Sequence, residues 1–305
     1  MKKTTMFRKF LNKPGLRVVP CAYDCMSARM AESVGFKALF MTGYGIRDAQ
    51  MGMPDFGIAT ATEVVNIVRN MVNSVDIPLI VDADDGYGGA LSAYRTTIEL
   101  IRAGAAGMFI DDQKHPTKCP AIGTQEVIPI DEYIGKLGAV MEARAKEDKD
   151  FFICARIDAL RTLGVEEMLA RAKAALKLGV DMLLPHGMQT LQPKADDNIK
   201  DVIKQIYKKM GAPKVWIWGS GPEEFTTKDY EDIGAKMWVP GNPLPGIAKV
   251  LIGMYKGLYE NGSTKSFFLE NMPADAYLNK LRRLDFWQEL EKKYVTKRSA
   301  STKSL

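Results

Sequence analysis

Short runs rich in β-branched and aromatic residues recur along the chain: LRVVP from 16, FKALFM from 36, IPLIV from 77, GMFI from 107, FFICA from 151, DMLLP from 181, PKVWIW from 213 and AKMWVP from 235. Their length and composition predict eight strands. Between them, apolar residues recur every three or four positions in CMSARMAESVG, TEVVNIVRNMVNS, LSAYRTTIELIRAG, YIGKLGAVMEARA, GVEEMLARAKAALKLG and NIKDVIKQIYKKMG. Many of these segments close with the glycine expected just past a helix C-terminus. Strands alternating with helices imply a parallel sheet. Eight such units match an α/β fold of the (β/α)8 TIM-type barrel better than an open doubly wound sheet, because no GxGxxG follows the first strand.

After the eighth strand come GIAKVLIGMYKGLYENG and ADAYLNKLRRLDFWQELEKKY, more helix than the last barrel unit requires. The apolar face of the second, with Leu281, Leu284, Phe286, Trp287 and Leu290, needs a surface to bury against, and a partner subunit would supply one. The expected organisation is a barrel over 1–260, a C-terminal helical extension over 261–295 and a disordered basic tail over 296–305. No linker splits the barrel.

Composition changes this picture little. At 305 residues and 46% hydrophobic content the chain can build a sizeable core. The net charge of +5 invites a nucleic-acid reading, but residues 1–13 and 292–305 each hold five basic residues and no acid, which leaves the body at −5. A mildly acidic body is a poor phosphate tracker. The N-terminal MKKTTMFRKF lacks a signal-peptide core and no run is long enough to span a bilayer. The four cysteines, Cys21, Cys25, Cys119 and Cys154, show neither zinc spacing nor disulfide density, so reduced thiols in a cytoplasm are expected.

The chemistry concentrates behind the strands. VDADDGYGG places Asp82, Asp84 and Asp85 within four positions at the end of an apolar run. Charges so close repel unless water or a cation intervenes, so the stretch is a solvated turn or a cation site. Other strand ends carry Thr42-Gly43-Tyr44-Gly45, Asp111-Asp112-Gln113, Arg156-Ile157-Asp158 and Pro185-His186-Gly187. In a barrel these ends converge on one mouth. Each alone reads as a turn, a cap or a local ion pair, but together they describe a site. Two histidines and no spaced Cys/His pair disfavour zinc or iron, whereas oxygen ligands suit a hard cation such as magnesium, held by one or two carboxylates and several waters. On an extended segment Asp82 and Asp84 would share a face, with Asp85 turned into the Asp-Gly turn. Arg156 is a bidentate partner for a carboxylate or phosphate. The polar stretch KHPTKCPAIGTQEVIP at 114–129, with Cys119 inside it, has the composition of a lid loop.

These residues resemble the isocitrate lyase and phosphoenolpyruvate mutase superfamily from about residue 7 to about residue 290. PCAYDCMSARMAESVGFKALFMTGYG is similar to the family's opening block, VDADDGYGG to its metal-binding block, AGAAGMFIDDQ to its next strand end and ICARIDA to its substrate-arginine block. The resemblance implies a (β/α)8 barrel, Mg2+ (with Mn2+ as a substitute) and a homotetramer that exchanges a C-terminal helix. It places Asp82 and Asp84 at the metal, Asp55 in MPDFG at a further acidic position, and Asp111 where the family usually has glutamate. Thr42, Gly43 and Tyr44 match the segment that binds the substrate's carboxylate, and Arg156 the arginine that holds the substrate.

The loop sets the subclass. Lyases of the family carry a lysine-arginine-cysteine-glycine-histidine signature whose cysteine is the general acid, while the phosphonate enzymes usually have asparagine there. Thr117-Lys118-Cys119-Pro120-Ala121 keeps the cysteine and loses the glycine and histidine. Pro185-His186, by contrast, is closer to the phosphonate enzymes than to the proline-glutamate of the dicarboxylate lyases, and Trp218 replaces a lyase asparagine region with an aromatic one. The resulting expectation is a magnesium-dependent carbon–carbon lyase of the 2-methylisocitrate or 2,3-dimethylmalate type, with Cys119 and Arg156 catalytic and Thr42, Gly43, Tyr44, Arg156 and His186 binding the substrate. Tyr44 and a metal-bound water are the candidate bases. The alternatives are a phosphonate-type mutase or hydrolase of the same superfamily and a non-catalytic barrel used as a binding module.

Overall fold

The computed structural model describes residues 1–120, 122–188, 191, 198–211, 214–219, 225–265, 267–268 and 273–295. Each of the eight apolar runs contributes strand. β1 (Arg17–Val18) and β2 (Cys21–Ala22) are two halves of the first run, followed by β3 (Leu39–Met41), β4 (Leu79–Asp82), β5 (Gly107–Ile110), β6 (Phe152–Ile157), β7 (Met182–Pro185), β8 (Trp216–Trp218) and β9 (Met237–Val239). Every pairing is parallel, in the orders β2-β3-β4-β5-β6-β7 and β1-β9-β8. A parallel bridge between Leu183 and Val215 joins β7 to β8.

The ring closes through the first run. Pro20 has no N–H to donate, so the ladder breaks there. On one side Val19 N–H donates to Trp238 O at 2.9 Å, and on the other Pro20 O accepts from Phe40 N–H at 3.0 Å. The run therefore serves β9 with its first half and β3 with its second, giving the (β/α)8 barrel. The chain enters through a helix, α1 (Lys3–Leu11), that buries Phe7 and Leu11 against the core. Phe7 meets Phe152 edge-on at 5.1 Å, and Arg8 Nη2 pairs with Asp181 Oδ2 at 2.9 Å. Part of the N-terminal positive charge thus fastens this helix to the start of β7. Inside the ring, Phe40, Phe109 and Trp216 pack with centroids 5.2–5.7 Å apart, so the barrel is filled rather than hollow.

The chain divides into two compact units, Met1–Leu244 and Pro245–Leu305. The helix Leu244–Asn261, assigned to the barrel from its sequence, falls almost wholly in the second unit and buries none of its residues. The long amphipathic segment after it is two helices, Asp275–Leu281 and Leu284–Tyr294, separated where Arg283 takes a left-handed φ of 54°. The tail expected over 296–305 lies outside the described residues. No helix among the described residues is long and apolar enough to cross a membrane.

Candidate active site

The strands deliver their polar residues to one end of the barrel. β4 runs apolar through Leu79-Ile80-Val81 and ends on Asp82, whose carboxylate accepts Gly43 N–H and Asp84 N–H, each at 3.1 Å. A Cβ on Gly43 would stand 2.6 Å from Asp82 Oδ2 and 2.5 Å from Arg47 Nη1, so only glycine permits this approach. Asp84 does not continue the strand. It takes φ 46°, a left-handed conformation that aspartate tolerates better than most residues. Asp82 and Asp84 therefore do not share a strand face, and a tight turn brings the two carboxylates to one cavity instead. Asp111 N–H fastens that turn by donating to Asp84 O at 2.8 Å. Asp85 is turned away: Oδ1 accepts Tyr87 N–H at 3.0 Å, while Oδ2 faces His115 Nδ1 at 3.2 Å and Lys136 Nζ at 3.9 Å.

Thr42 starts the helix Gly43–Ile46, accepting Gly45 N–H at 3.3 Å, and the π-helical turn Arg47–Met51 follows. That turn buries Arg47, which pairs with Asp84 through Nη2 and stands 3.1 Å from Asp55 Oδ1 through Nη1. On the opposite wall Arg156 clasps Asp158 in a fork, Nε to Oδ2 at 2.8 Å and Nη2 to Oδ1 at 3.0 Å, and its guanidinium lies 5.3 Å from the Phe109 ring. Those two hydrogen bonds leave three of the five guanidinium N–H groups for a ligand. Behind the fork, Asp112 accepts Asp158 N–H at 2.7 Å and Arg171 Nη1 at 3.0 Å, while Arg171 Nη2 donates to Ile128 O at 2.9 Å.

Asp55, Asp82, Asp84, Asp111, Gln113, Thr117, Lys118, Cys119 and Arg156 line one small cavity. The lid stretch forms its roof. Its base is an antiparallel bridge, Gln113 to Val127, and Lys114 N–H donates to Glu126 O at 2.8 Å. Its tip is seated on the segment after the first helical turns: Cys119 N–H donates to Asp55 O at 3.0 Å, and Thr117 N lies 2.5 Å from where a Gly57 Cβ would be.

Burial raises most of the carboxyls around this cavity. Burial first, and Asp84 next, push the Asp82 carboxyl up to about 7. The same causes push Asp55 up to about 6. Burial also drives Asp111 well above the ordinary carboxylate range. Burial works to raise Asp158 too, but Arg156 and His186 outweigh it and hold that group below its usual value. Four carboxylates thus line a space together with Arg156 and Lys118, while Arg47 pairs with Asp84 and Asp55.

Residues 7–249 match the family model described as phosphoenolpyruvate phosphomutase. The chain belongs to this family. Among its relatives is the chloroplastic carboxyvinyl-carboxyphosphonate phosphorylmutase of Arabidopsis thaliana, 34% identical over 98% of this chain and 88% of that protein. The 2-methylisocitrate lyase of Bacillus subtilis (strain 168) is 30% identical over 85% of this chain and 82% of its own. A solved 2,3-dimethylmalate lyase, a PEP mutase/isocitrate lyase superfamily member, matches with a TM-score of 0.85 at 26% identity, covering 100% of this chain and 99% of that one.

For this member of the phosphoenolpyruvate phosphomutase family the sequence and the cavity agree on Asp55, Asp82, Asp84, Asp111, Cys119 and Arg156 as neighbours. Thr42, Gly43, Tyr44 and His186 are not among the lining residues. The Thr42 hydroxyl is spent on Gly45 and the Gly43 N–H on Asp82. His186 sits behind Arg156, its Nδ1 3.3 Å from Asp158 Oδ1, and faces an apolar cavity with Met188, Tyr207 and Trp218. Burial and Arg156 lower its pKa to about 4, so it is neutral near pH 7. Burial and Asp48 push the Tyr44 phenol up, the wrong direction for a base. Arg47 is the residue beside the site that sequence reasoning missed. The signal for Arg47 was weak: one arginine in GYGIRDAQ, with no strand end to mark it.

A hard cation suits this donor set. Among the described residues no three His, Cys, Asp or Glu side chains gather into a ready-made cage. Magnesium does not need one, since it takes one or two carboxylates and completes its shell with water and substrate oxygens. Burial first, and Asp84 second, raise the Asp82 and Asp55 carboxyls, and a cation bound between them would offset both effects.

Proposed function

We propose that this protein is a magnesium-dependent carbon–carbon lyase acting on a 2-hydroxy dicarboxylate of the 2-methylisocitrate or 2,3-dimethylmalate type, releasing an α-keto acid such as pyruvate. The observation that carries the reading is Cys119 on the roof of the cavity whose floor holds Asp82, Asp84 and Arg156. In this reading Asp82 and Asp84 would hold the ion, with Asp55 and Asp111, which line the same cavity, as further acidic partners. When bound, magnesium would polarise the substrate's hydroxyl and adjacent carboxylate oxygens. Arg156, fixed in direction by Asp158, receives a substrate carboxylate on its remaining N–H groups. The hydroxyl proton leaves to solvent water, the O–H electron pair forms the C=O bond as the carbon–carbon bond breaks, and the hydroxyl carbon becomes a ketone. The bond's electron pair goes to the carbon beside the second carboxylate. The Cys119 thiol, brought down on the closed loop, gives its proton to that carbon.

The phosphonate-type reading stands second, on the likeness to the Arabidopsis phosphorylmutase and on His186 beside Asp158. Pyruvate release separates the two. A lyase yields pyruvate from substituted malates or isocitrates only with magnesium, whereas turnover confined to phosphonopyruvate would replace the lyase reading. A barrel that binds neither magnesium nor any of these acids in calorimetry would be a binding module instead.

The second unit supports an assembly with further copies of this chain. The helix Leu244–Asn261 exposes Ile252, Tyr255 and Tyr259, and the helix Leu284–Tyr294 exposes Phe286 and Trp287. Apolar faces of this extent are ordinarily covered. The expected arrangement is a homotetramer in which the C-terminal helix is exchanged. Light scattering should give four times 33.9 kDa, and a monomer at micromolar concentration would rule the arrangement out.

A further inference from the structure

Arg47 opens the π-helical turn behind the Thr42 segment, and its backbone is pinned there: its carbonyl accepts Gly52 N–H and, at 3.1 Å, Met53 N–H. A π-helical turn is rare and often marks a functional position. The arginine side chain is only 1% exposed. Nη2 pairs with Asp84 Oδ2, and Nη1 stands 3.1 Å from Asp55 Oδ1. Asp82 is close as well. Arg47 Nη1 and Asp82 Oδ2 lie 2.5 Å and 2.6 Å from one point, the place a Gly43 Cβ would take, so the two atoms are near neighbours.

The guanidinium therefore sits among Asp55, Asp82 and Asp84, and it cancels one of their three charges. These are the carboxylates proposed to serve the ion. A second cation drawn to them meets a like charge, and burial makes that repulsion stronger than it would be in water. Arg47 gains little in return, since Nε and Nη1 have no aligned hydrogen-bond acceptor among the described residues. Burial and Asp84 push the Asp55 and Asp82 carboxyls up, and Arg47 is among the charges that pull them back. We propose that Arg47 is a built-in counter-cation that competes with magnesium for Asp84 and Asp55 and so sets how tightly the site takes the ion. An arginine that merely oriented Asp84 would do the reverse, and its removal would weaken binding. The sign of the change separates the two roles.

This inference rests on the reading of Asp82 and Asp84 as magnesium ligands, and binding and melting test it without any turnover. Arg47→Met keeps the apolar stem of the side chain and removes the charge. Magnesium chloride would be titrated by calorimetry into wild type, Arg47→Met and Asp82→Asn near pH 8, above the carboxyls raised to about 7 and about 6. Arg47→Met should bind magnesium at least about tenfold more tightly than wild type, because one nearby charge moves a binding equilibrium by about one to three decades. Without magnesium it should melt below wild type, since Asp84 loses its buried partner. Magnesium should then raise its melting temperature by more than it raises that of wild type. Equal or weaker binding in Arg47→Met, with wild-type binding weakened by Asp82→Asn, overturns the proposal and leaves the magnesium reading standing. No binding in wild type or Arg47→Met, or binding that Asp82→Asn leaves unchanged, overturns both. If Arg47→Met does not fold, Arg47→Gln, which is neutral and can still donate to Asp84, decides by the same titration: tighter binding supports the proposal and unchanged or weaker binding overturns it.

Discussion

Replacing Cys119 by serine is expected to lower kcat on a 2-hydroxy dicarboxylate by about 100- to 10,000-fold, the range that a well-placed general acid contributes. Serine keeps the size and the backbone contacts of this position, including the N–H donated to Asp55 O. It changes the acidity of the group that would deliver the proton. Because Arg156 and the strand-end carboxylates are untouched, magnesium affinity and KM should stay within a few-fold of wild type. Steady-state kinetics of pyruvate release would check this. Wild-type kcat in the variant would remove Cys119 from the mechanism, and a loss confined to KM would make it a binding residue only.

A larger effect should follow Asp82→Asn, and its sign differs between function and stability. Asparagine removes a charged oxygen from the proposed metal site, so magnesium affinity should fall more than about 100-fold, beyond what loss of a supporting residue costs. Pyruvate release should fall with it. The metal-free variant should nonetheless melt no lower than wild type. Burial and Asp84 raise Asp82 to about 7, which means that the folded chain holds this ionised carboxylate at a cost. A raised carboxylate binds protons more tightly folded than unfolded. Metal-free wild type should therefore gain stability as pH falls through about 7, and Asp82→Asn should show less of that gain. Adding magnesium should raise the melting temperature of wild type and leave the variant where it was. Magnesium stabilising both equally would place the ion elsewhere.

The fold was legible because each strand is a short apolar run and most helices end at a glycine. What the runs do not show is how the ring closes. Pro20 looks like the end of a strand, yet it lets the same run pair first with β9 and then with β3. The C-terminal segment reads as one helix because periodicity carries through LRRLDFW, and only the left-handed backbone at Arg283 breaks it.

At the site, the strand-end rule found Asp82, Asp111 and Arg156, since their place depends on where a run stops. It gave a wrong reason for Asp84, which reaches the cavity through a left-handed turn. Thr42 and His186 lie outside the cavity lining: the Thr42 hydroxyl accepts Gly45 N–H, and the neutral His186 ring stands beside Asp158 with its buried Nδ1 unsatisfied among the described residues. Arg47 escaped notice because a π-helical turn, invisible in composition, carries it inward to Asp84 and Asp55.

The central claim is that Cys119 and the strand-end carboxylates serve one lyase reaction. It is tested most directly by measuring pyruvate release by the wild-type protein from 2,3-dimethylmalate, 2-methylisocitrate and phosphonopyruvate, each with magnesium and with a chelator. The account predicts magnesium-dependent pyruvate from at least one of the two hydroxy acids and little from phosphonopyruvate. Pyruvate from phosphonopyruvate alone, or release that persists in chelator, would contradict it.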